Sequence, residues 1–274
     1  METMTNMIEN LRPGASAERA RVVLFDFDGT ISTIRSGWMN VMVPMMVELL
    51  MDLKTGESEE DLTEIVTEYV GRLTGKQTMY QMIALAGEIE KRGGSPKDPM
   101  EYKKQYLDLL WEKIKDRVEA LEKGDARPEK YLVPGAVRLL ESLRDRGLRM
   151  YLASGTDQIF MRREADLLGV SKYFDGGVYG ALDDYKKFSK AILIRRLISE
   201  AECRGEEFLG FGDGYVEIEN VKEVGGTAVG VATDEPHCRK VDTWKRDRLA
   251  GVGADFIIPN FLAHDELMSA LFPR

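Results

Sequence analysis

Cysteine and histidine are scarce in this chain, with two of each among 274 residues. Cys203 and Cys238 have neither metal-type spacing nor partners for a disulfide framework, which excludes a small stapled fold and fits a reducing, cytoplasmic compartment. His237 and His264 lie late and apart, and read as surface or packing residues. Positive charge is also in deficit: 38 Lys and Arg against 47 Asp and Glu leave a formal charge of -9. No basic surface advertises nucleic acid or an anionic membrane, so neither is an expected partner, and any phosphate site must be local.

A long uninterrupted hydrophobic run is missing too. The most apolar stretch, Trp38 to Leu53, carries Asn40, Pro44, Glu48 and Asp52 at every fourth position. That spacing draws a polar stripe down one side of a helix and excludes a membrane span. Its methionines (Met39, Met42, Met45, Met46, Met51) read as gap-filling core. The first residues, METMTNMIENLRPG, carry acids and no apolar centre, so they do not read as a signal peptide. Residues 1–20 are expected to be a loosely held tail or a short helix.

What the chain does have is a change of rhythm. Residues 34–130 read as helix throughout, with helices expected over Trp38 to Leu53, Glu59 to Leu73, Gln77 to Lys91 and Pro99 to Leu121. Turn-type clusters TGES, LTGK and RGGSPKDP separate them. Beyond Tyr131, helices and strands alternate, the signature of a doubly wound parallel sheet. Strands are expected at LRMYLASG (ending at Ser154), Gly177 to Tyr179, EFLGFG, TAVGVA and ADFIIPN. Helices are expected after Pro134, from Asp157 to Leu168 and from about Ser189 to Ala201. A helical block is thus inserted into an α/β unit just after its first strand.

That first strand ends as VVLFDFDGT, Val22 to Thr30, where four apolar residues run into two carboxylates. Adjacent charges at the end of a buried strand cost free energy unless a cation offsets them. A calcium loop of the EF-hand type does not fit, because Gly29 falls fourth and Thr30 occupies the fifth position, where an acid is required. Ligands bind where an open parallel sheet delivers the carboxyl ends of its strands. The polar residues there are Asp26, Asp28, Ser154 and Asp213. With a lysine from the stretch before Asp213, they make a phosphoryl-transfer set of nucleophile, acid/base, hydroxyl, cation and metal ligand. GDGYVE, a hairpin signal on its own, fits strand, loop and helix better because Val216, Val221 and Val224 follow with helical spacing.

The ordered segments DFDGT, ASGTD, YKKFSK and GDGYVE closely resemble the motifs of the haloacid dehalogenase-like hydrolase superfamily, whose members are mostly magnesium-dependent phosphatases with an aspartate nucleophile. The resemblance runs from Val22 to about Ala232. It implies a Rossmann-like core over 21–33 and 131–274, with a helical cap of the family's type 1 over 34–130. Asp26 matches the nucleophile and Asp28 the general acid/base. Ser154 and Gly155, with Gly29 and Thr30, match substrate-binding positions. The family's usual offset from an apolar helix face at Ile192 favours Lys187 as the active-site lysine, with Lys186 next; the others, Lys190 included, read as a solvated helix start. Asp26, Asp213 and the Asp28 main-chain carbonyl match the Mg²⁺ ligands, and Glu217, where relatives often carry aspartate, is expected behind them.

Asp28 argues against a dehalogenase or a phosphonatase, and the lack of histidine between Ile34 and Lys130 against a mutase of the β-phosphoglucomutase kind. The resemblance therefore implies hydrolysis of a small phosphorylated metabolite, a sugar phosphate or a phosphoglycolate-like ester, through an aspartyl-phosphate. A phosphoglucomutase-type transferase and a catalytically silent phosphate-binding protein are the alternatives. Arg35, Trp38, Lys76 and Gln77 are candidates for touching the leaving group, each with a solvated-surface reading beside it.

Overall fold

The computed structural model describes residues 8–182, 189–200 and 202–273. Its sheet has seven strands: β1 (Glu9–Asn10), β2 (Val22–Phe25), β3 (Arg149–Asp157), β4 (Gly177–Ala181), β5 (Phe208–Gly212), β6 (Thr227–Val231) and β7 (Phe256–Ile258). They lie in the order β1-β7-β6-β5-β2-β3-β4, and every pair is parallel except β1 with β7. β2 is central, and all four of its residues are buried. Val23 and Phe25 pack into one apolar cluster and Val22 and Leu24 into the other, on opposite faces of the sheet. A continuous apolar run is what a strand covered on both faces requires.

Between β2 and β3 the chain forms α1 (Met39–Met51), α2 (Glu59–Arg72), α3 (Thr78–Lys91), α4 (Pro99–Lys123) and α5 (Ala136–Asp145). Local signals set the ends of α4: the Asp98 side chain accepts from Met100 N at 2.8 Å, Pro99 follows, and Gly124 closes it in the left-handed conformation. On α1, Asn40, Pro44, Glu48 and Asp52 are all exposed, while Met42, Met45 and Met46 are buried in the core. Where the chain leaves and rejoins the sheet, it is pinned by Val133 N donating to Ile31 O at 2.9 Å. Arg117 of α4 donates to the main-chain oxygens of Ile34 and Ser36 at 2.7 and 3.0 Å. No helix among the described residues is long and apolar enough to cross a membrane.

The second half supplies α6 (Gln158–Leu167), α7 (Lys190–Glu200), α8 (Tyr215–Glu223), α9 (Thr243–Gly251) and α10 (His264–Leu271). The strand–loop–helix reading of GDGYVE holds, because α8 starts at Tyr215 directly after that loop. Two expectations are corrected. The first residues are not a loose tail or helix from residue 8 on: Glu9 and Asn10 pair with Ile257 and Phe256, Ile8 and Ala17 are buried, and Arg246 holds Glu9 by an ion pair. β3 does not end at Ser154 but continues to Asp157, with its register against β4 shifting after Ala153. Gly155 lies in that shifted stretch, as glycines in strands often do.

Candidate active site

The carboxyl ends of β2, β3 and β5 face a cavity of about 90 Å³ lined on its far side by α1, α3 and α4. Asp26 is the first residue past β2. Its amide continues the ladder by donating to Phe211 O at 2.9 Å, and its side chain is buried at the cavity floor. Lys190, the first residue of α7, reaches across with its Nζ 2.6 Å from Asp26 Oδ1, and also bonds Glu217 Oε1. All three groups are almost wholly removed from water. Burial pushes the Asp26 carboxyl up to about 7; Lys190 opposes this, and Asp213 and Asp28 add to it by repulsion.

Asp28 is held by one oxygen and left open at the other. Its Oδ2 accepts from Ser154 Oγ at 2.9 Å and Thr156 Oγ1 at 2.8 Å. Its Oδ1 is buried without a hydrogen-bond partner among the described residues. Arg35 Nε stands 3.9 Å from that oxygen. A carboxyl with one oxygen fixed and one free can exchange a proton only at a single defined atom.

Asp213 enters from the loop after β5, and Gly29 makes room for it: φ is +75° there, and a Cβ would collide with Asp213 Oδ2. Two residues absent from the sequence motifs complete this side. Lys245 of α9 donates to Asp213 Oδ2 at 2.8 Å and to Glu235 Oε1 at 2.7 Å. Burial works against the Lys245 charge, but Asp213 and Glu235 outweigh it and keep its pKa raised. Burial raises the Glu235 carboxyl, and although Lys245 pulls it down, Asp213 and Asp28 repel it upward. These contacts join the loop after β5, Glu235 and helix α9, and no local pattern signals them.

The donor set suits a hard divalent cation. Carboxylates crowd one spot with their mutual repulsion incompletely offset, and every candidate ligand is oxygen. Among the described residues, no three acidic, histidine or cysteine side chains converge tightly enough to hold an ion by themselves. Asp26 and Asp213, with the Asp28 carbonyl and water, are the groups that could hold a partly hydrated cation of that kind.

The other expected residues fall in different places. Ser154 lines the cavity, with its hydroxyl engaged by Asp28. Gly155 also lines it, and a Cβ there would stand 2.5 Å from Lys76 O of the α2–α3 loop. Thr30 is wholly buried, its Oγ1 has no hydrogen-bond partner among the described residues, and it does not line the cavity. Glu217 touches Lys190. Lys186 and Lys187 lie outside the described residues, whereas Lys190, read as part of a solvated helix start, is buried between two carboxylates. The solvated readings of Arg35 and Gln77 are corrected as well: both are buried, while Trp38 is half-buried and Lys76 exposed. His264 is a packing residue bonded to Ser142 and Asp265, and His237 is at the surface.

The family model described as haloacid dehalogenase-like hydrolase matches residues 20–225. No curated protein matches the sequence. Solved structures share the fold at low identity. A predicted phosphoglycolate phosphatase from Haemophilus somnus is 16% identical, with TM-score 0.57, over 91% of this chain and 98% of that one. β-Phosphoglucomutase from Clostridium difficile is 14% identical, with TM-score 0.55, over 85% and 98%. A phosphonoacetaldehyde hydrolase-like protein from Oleispira antarctica is 12% identical, with TM-score 0.61, over 93% of each chain. These similarities speak to architecture alone.

Proposed function

The chain belongs to the haloacid dehalogenase-like hydrolase family, and on that premise we propose that it is a Mg²⁺-dependent phosphatase acting on a small phosphorylated metabolite, a sugar phosphate or a phosphoglycolate-like ester. The observation that carries this reading is the pair of differently treated aspartates: Asp26 beside a buried lysine, Asp28 with one oxygen tied and one free.

Asp26 attacks phosphorus, the bond to the leaving oxygen breaks, and an aspartyl-phosphate forms on Asp26. Asp28 gives its proton to the leaving oxygen; it then takes one from the water that attacks the aspartyl-phosphate, releasing phosphate and restoring Asp26. Asp26 must be ionised to attack, and Lys190 favours that state against the burial that opposes it. A bound Mg²⁺, held by Asp26, Asp213 and the Asp28 carbonyl, would offset the carboxylate repulsion and polarise the phosphoryl oxygens. The helices over 34–130 act as the cap that excludes bulk water, docked through Gly75, whose Cβ would stand 2.5 Å from Glu217 Oε2. Two buried free cysteines, Cys203 and Cys238, fit a cytoplasmic setting.

The test is Mg²⁺-dependent release of phosphate from an aryl phosphate by the wild type and by Asp26→Asn. Loss in the variant supports the assignment, and undiminished hydrolysis refutes it. With a hexose 1-phosphate, an isomerised sugar phosphate formed without free phosphate would identify a phosphotransferase instead.

A further inference from the structure

One carboxyl oxygen of Asp28 draws on two hydroxyls of β3: Oδ2 accepts from Ser154 Oγ at 2.9 Å and from Thr156 Oγ1 at 2.8 Å. The donors stand two residues apart, the spacing that puts side chains on one face of a strand. They are not equivalent. Ser154 is 1% exposed and matches a substrate-binding position, and a hydroxyl has a single proton to donate. That proton cannot serve a phosphoryl oxygen and Asp28 at once. Thr156 makes no other side-chain hydrogen bond among the described residues, and its amide donates to Ser154 Oγ at 2.9 Å. Its stretch of backbone is also held from the insert: Lys103 of α4, itself buried, bonds the neighbouring Asp157 at 2.5 Å. Arg35 does not share the task. Its Nε and Nη2 are bonded to Glu164 at 3.0 and 2.6 Å, and Nε stands 3.9 Å from Asp28 Oδ1, beyond hydrogen-bond reach.

We propose that Thr156 is the positioning residue of the acid/base. This rests on the phosphatase reading and goes beyond it by giving the end of β3 a part in the first step. When a phosphoryl oxygen takes the Ser154 proton, the Thr156 hydroxyl is the one hydrogen bond left on the Asp28 carboxyl among the described residues. An oxygen that accepts from a hydroxyl is the poorer place for the acid's own proton, so that proton stays on Oδ1 and passes from there to the leaving oxygen. Without Thr156 the carboxyl can turn about its last bond and exchange its two oxygens, and the proton is then aimed away from the reaction.

The experiment compares two esters of nearly equal size, phenyl phosphate and para-nitrophenyl phosphate, with Mg²⁺ present. Phenolate leaves poorly and needs the proton, whereas nitrophenolate leaves readily without it. Thr156→Val keeps the shape and the amide of the residue and removes only the hydroxyl. In that variant kcat/KM for phenyl phosphate is expected to fall about 10- to 100-fold, the range of one hydrogen bond to a carboxylate, with a clearly smaller loss for the nitrophenyl ester. Thr156→Ser, which restores the hydroxyl, returns the ratio of the two esters to that of the wild type. Ser154→Ala lowers both esters alike, because the phosphoryl group is common to them. Both esters are assayed on one sample, so the ratio does not depend on how much of a variant is folded. Equal losses for the two esters in Thr156→Val, a ratio that serine does not restore, or the leaving-group dependence appearing in Ser154→Ala instead, each overturns the inference and leaves the phosphatase standing. Turnover of neither ester by the wild type overturns both.

Discussion

Replacing Lys190 by methionine tests the site at its centre. In the native chain one ammonium serves two buried carboxylates, Asp26 and Glu217, and Glu217 Oε2 has no other partner among the described residues. Methionine keeps the length and apolar stem of the side chain, so packing changes little. The charge is what goes, and breaking a buried pair from one side costs about 3–5 kcal/mol. At roughly 2–4 °C per kcal/mol for a chain of this size, the melting temperature should fall by about 6–20 °C. The deficit should shrink at lower pH. The Asp26 carboxyl, already raised to about 7 by burial, rises further without its lysine and is neutralised by a proton. Restoring charge balance with Glu217→Gln in the same background should recover part of the stability at pH 8. Activity should not return with it. Losing one preorganised cation at a developing charge costs on the order of 10²–10³ in kcat, and the glutamine supplies no replacement. Calorimetric melts at pH 6 and pH 8, with aryl phosphate turnover on the same samples, read both quantities. A variant as stable as wild type at pH 8, or one that glutamine does not rescue, would show that Lys190 is not the counter-ion of this pair.

Two further outcomes are expected. Lys245→Met should tighten Mg²⁺ binding about tenfold, because removing a unit charge a few ångströms from a dication relieves ~1–2 kcal/mol of repulsion even in a watery environment, and Lys245 sits on Asp213 Oδ2. Calorimetric titration with Mg²⁺ decides it, and weaker binding would mean that Lys245 serves instead to hold Asp213 in place. The second concerns pH and the metal-free protein. Because burial raises the Asp26 carboxyl from 3.8 to about 7, the folded chain holds a proton that the unfolded chain has released, so stability falls as pH climbs through that window and levels off above it. Urea unfolding in chelator should therefore show wild type losing ground to Asp26→Asn between about pH 5 and pH 8, and parallel curves would refute the assigned shift.

Much of the architecture is legible because burial leaves a period in the sequence. The stripe of Asn40, Pro44, Glu48 and Asp52 predicts the solvent face of α1, and all four are exposed. The run of apolar residues in β2 predicts a buried strand, and all four are buried, in the centre of the sheet. Elements with little burial leave no such mark. Within α9 only Leu249 is buried, so the segment has no apolar stripe to read. β1 is two residues long, and what recruits it is the free edge of β7, a feature of the assembled sheet rather than of residues 9 and 10.

The site divides along the same line. Asp26, Asp28 and Asp213 sit at strand ends, where topology delivers them to one rim, so strand position alone brings them together. Lys190 is lost by choosing the wrong helix face. Counting from Ile192 as the apolar face makes Lys190 look solvated, but Ile192 is 47% exposed. The buried stripe of α7 is Lys190, Leu193, Ile194 and Leu197, the i, i+3, i+4, i+7 pattern with a lysine in its first place. A cation on the apolar face of a helix is costly unless acids meet it, so the stripe by itself calls for an acidic partner. Here the partners are Asp26 and Glu217. Glu217 is buried on α8 together with Val216, Ile218 and Val221, again an ionisable group on an inward face. Two charges of opposite sign on the inward faces of successive helices in a doubly wound sheet are therefore a signal in their own right. Thr156, Glu235 and Lys245 carry no comparable signal, because their roles arise only when the end of β3, the Glu235 segment and α9 converge on Asp28 and Asp213.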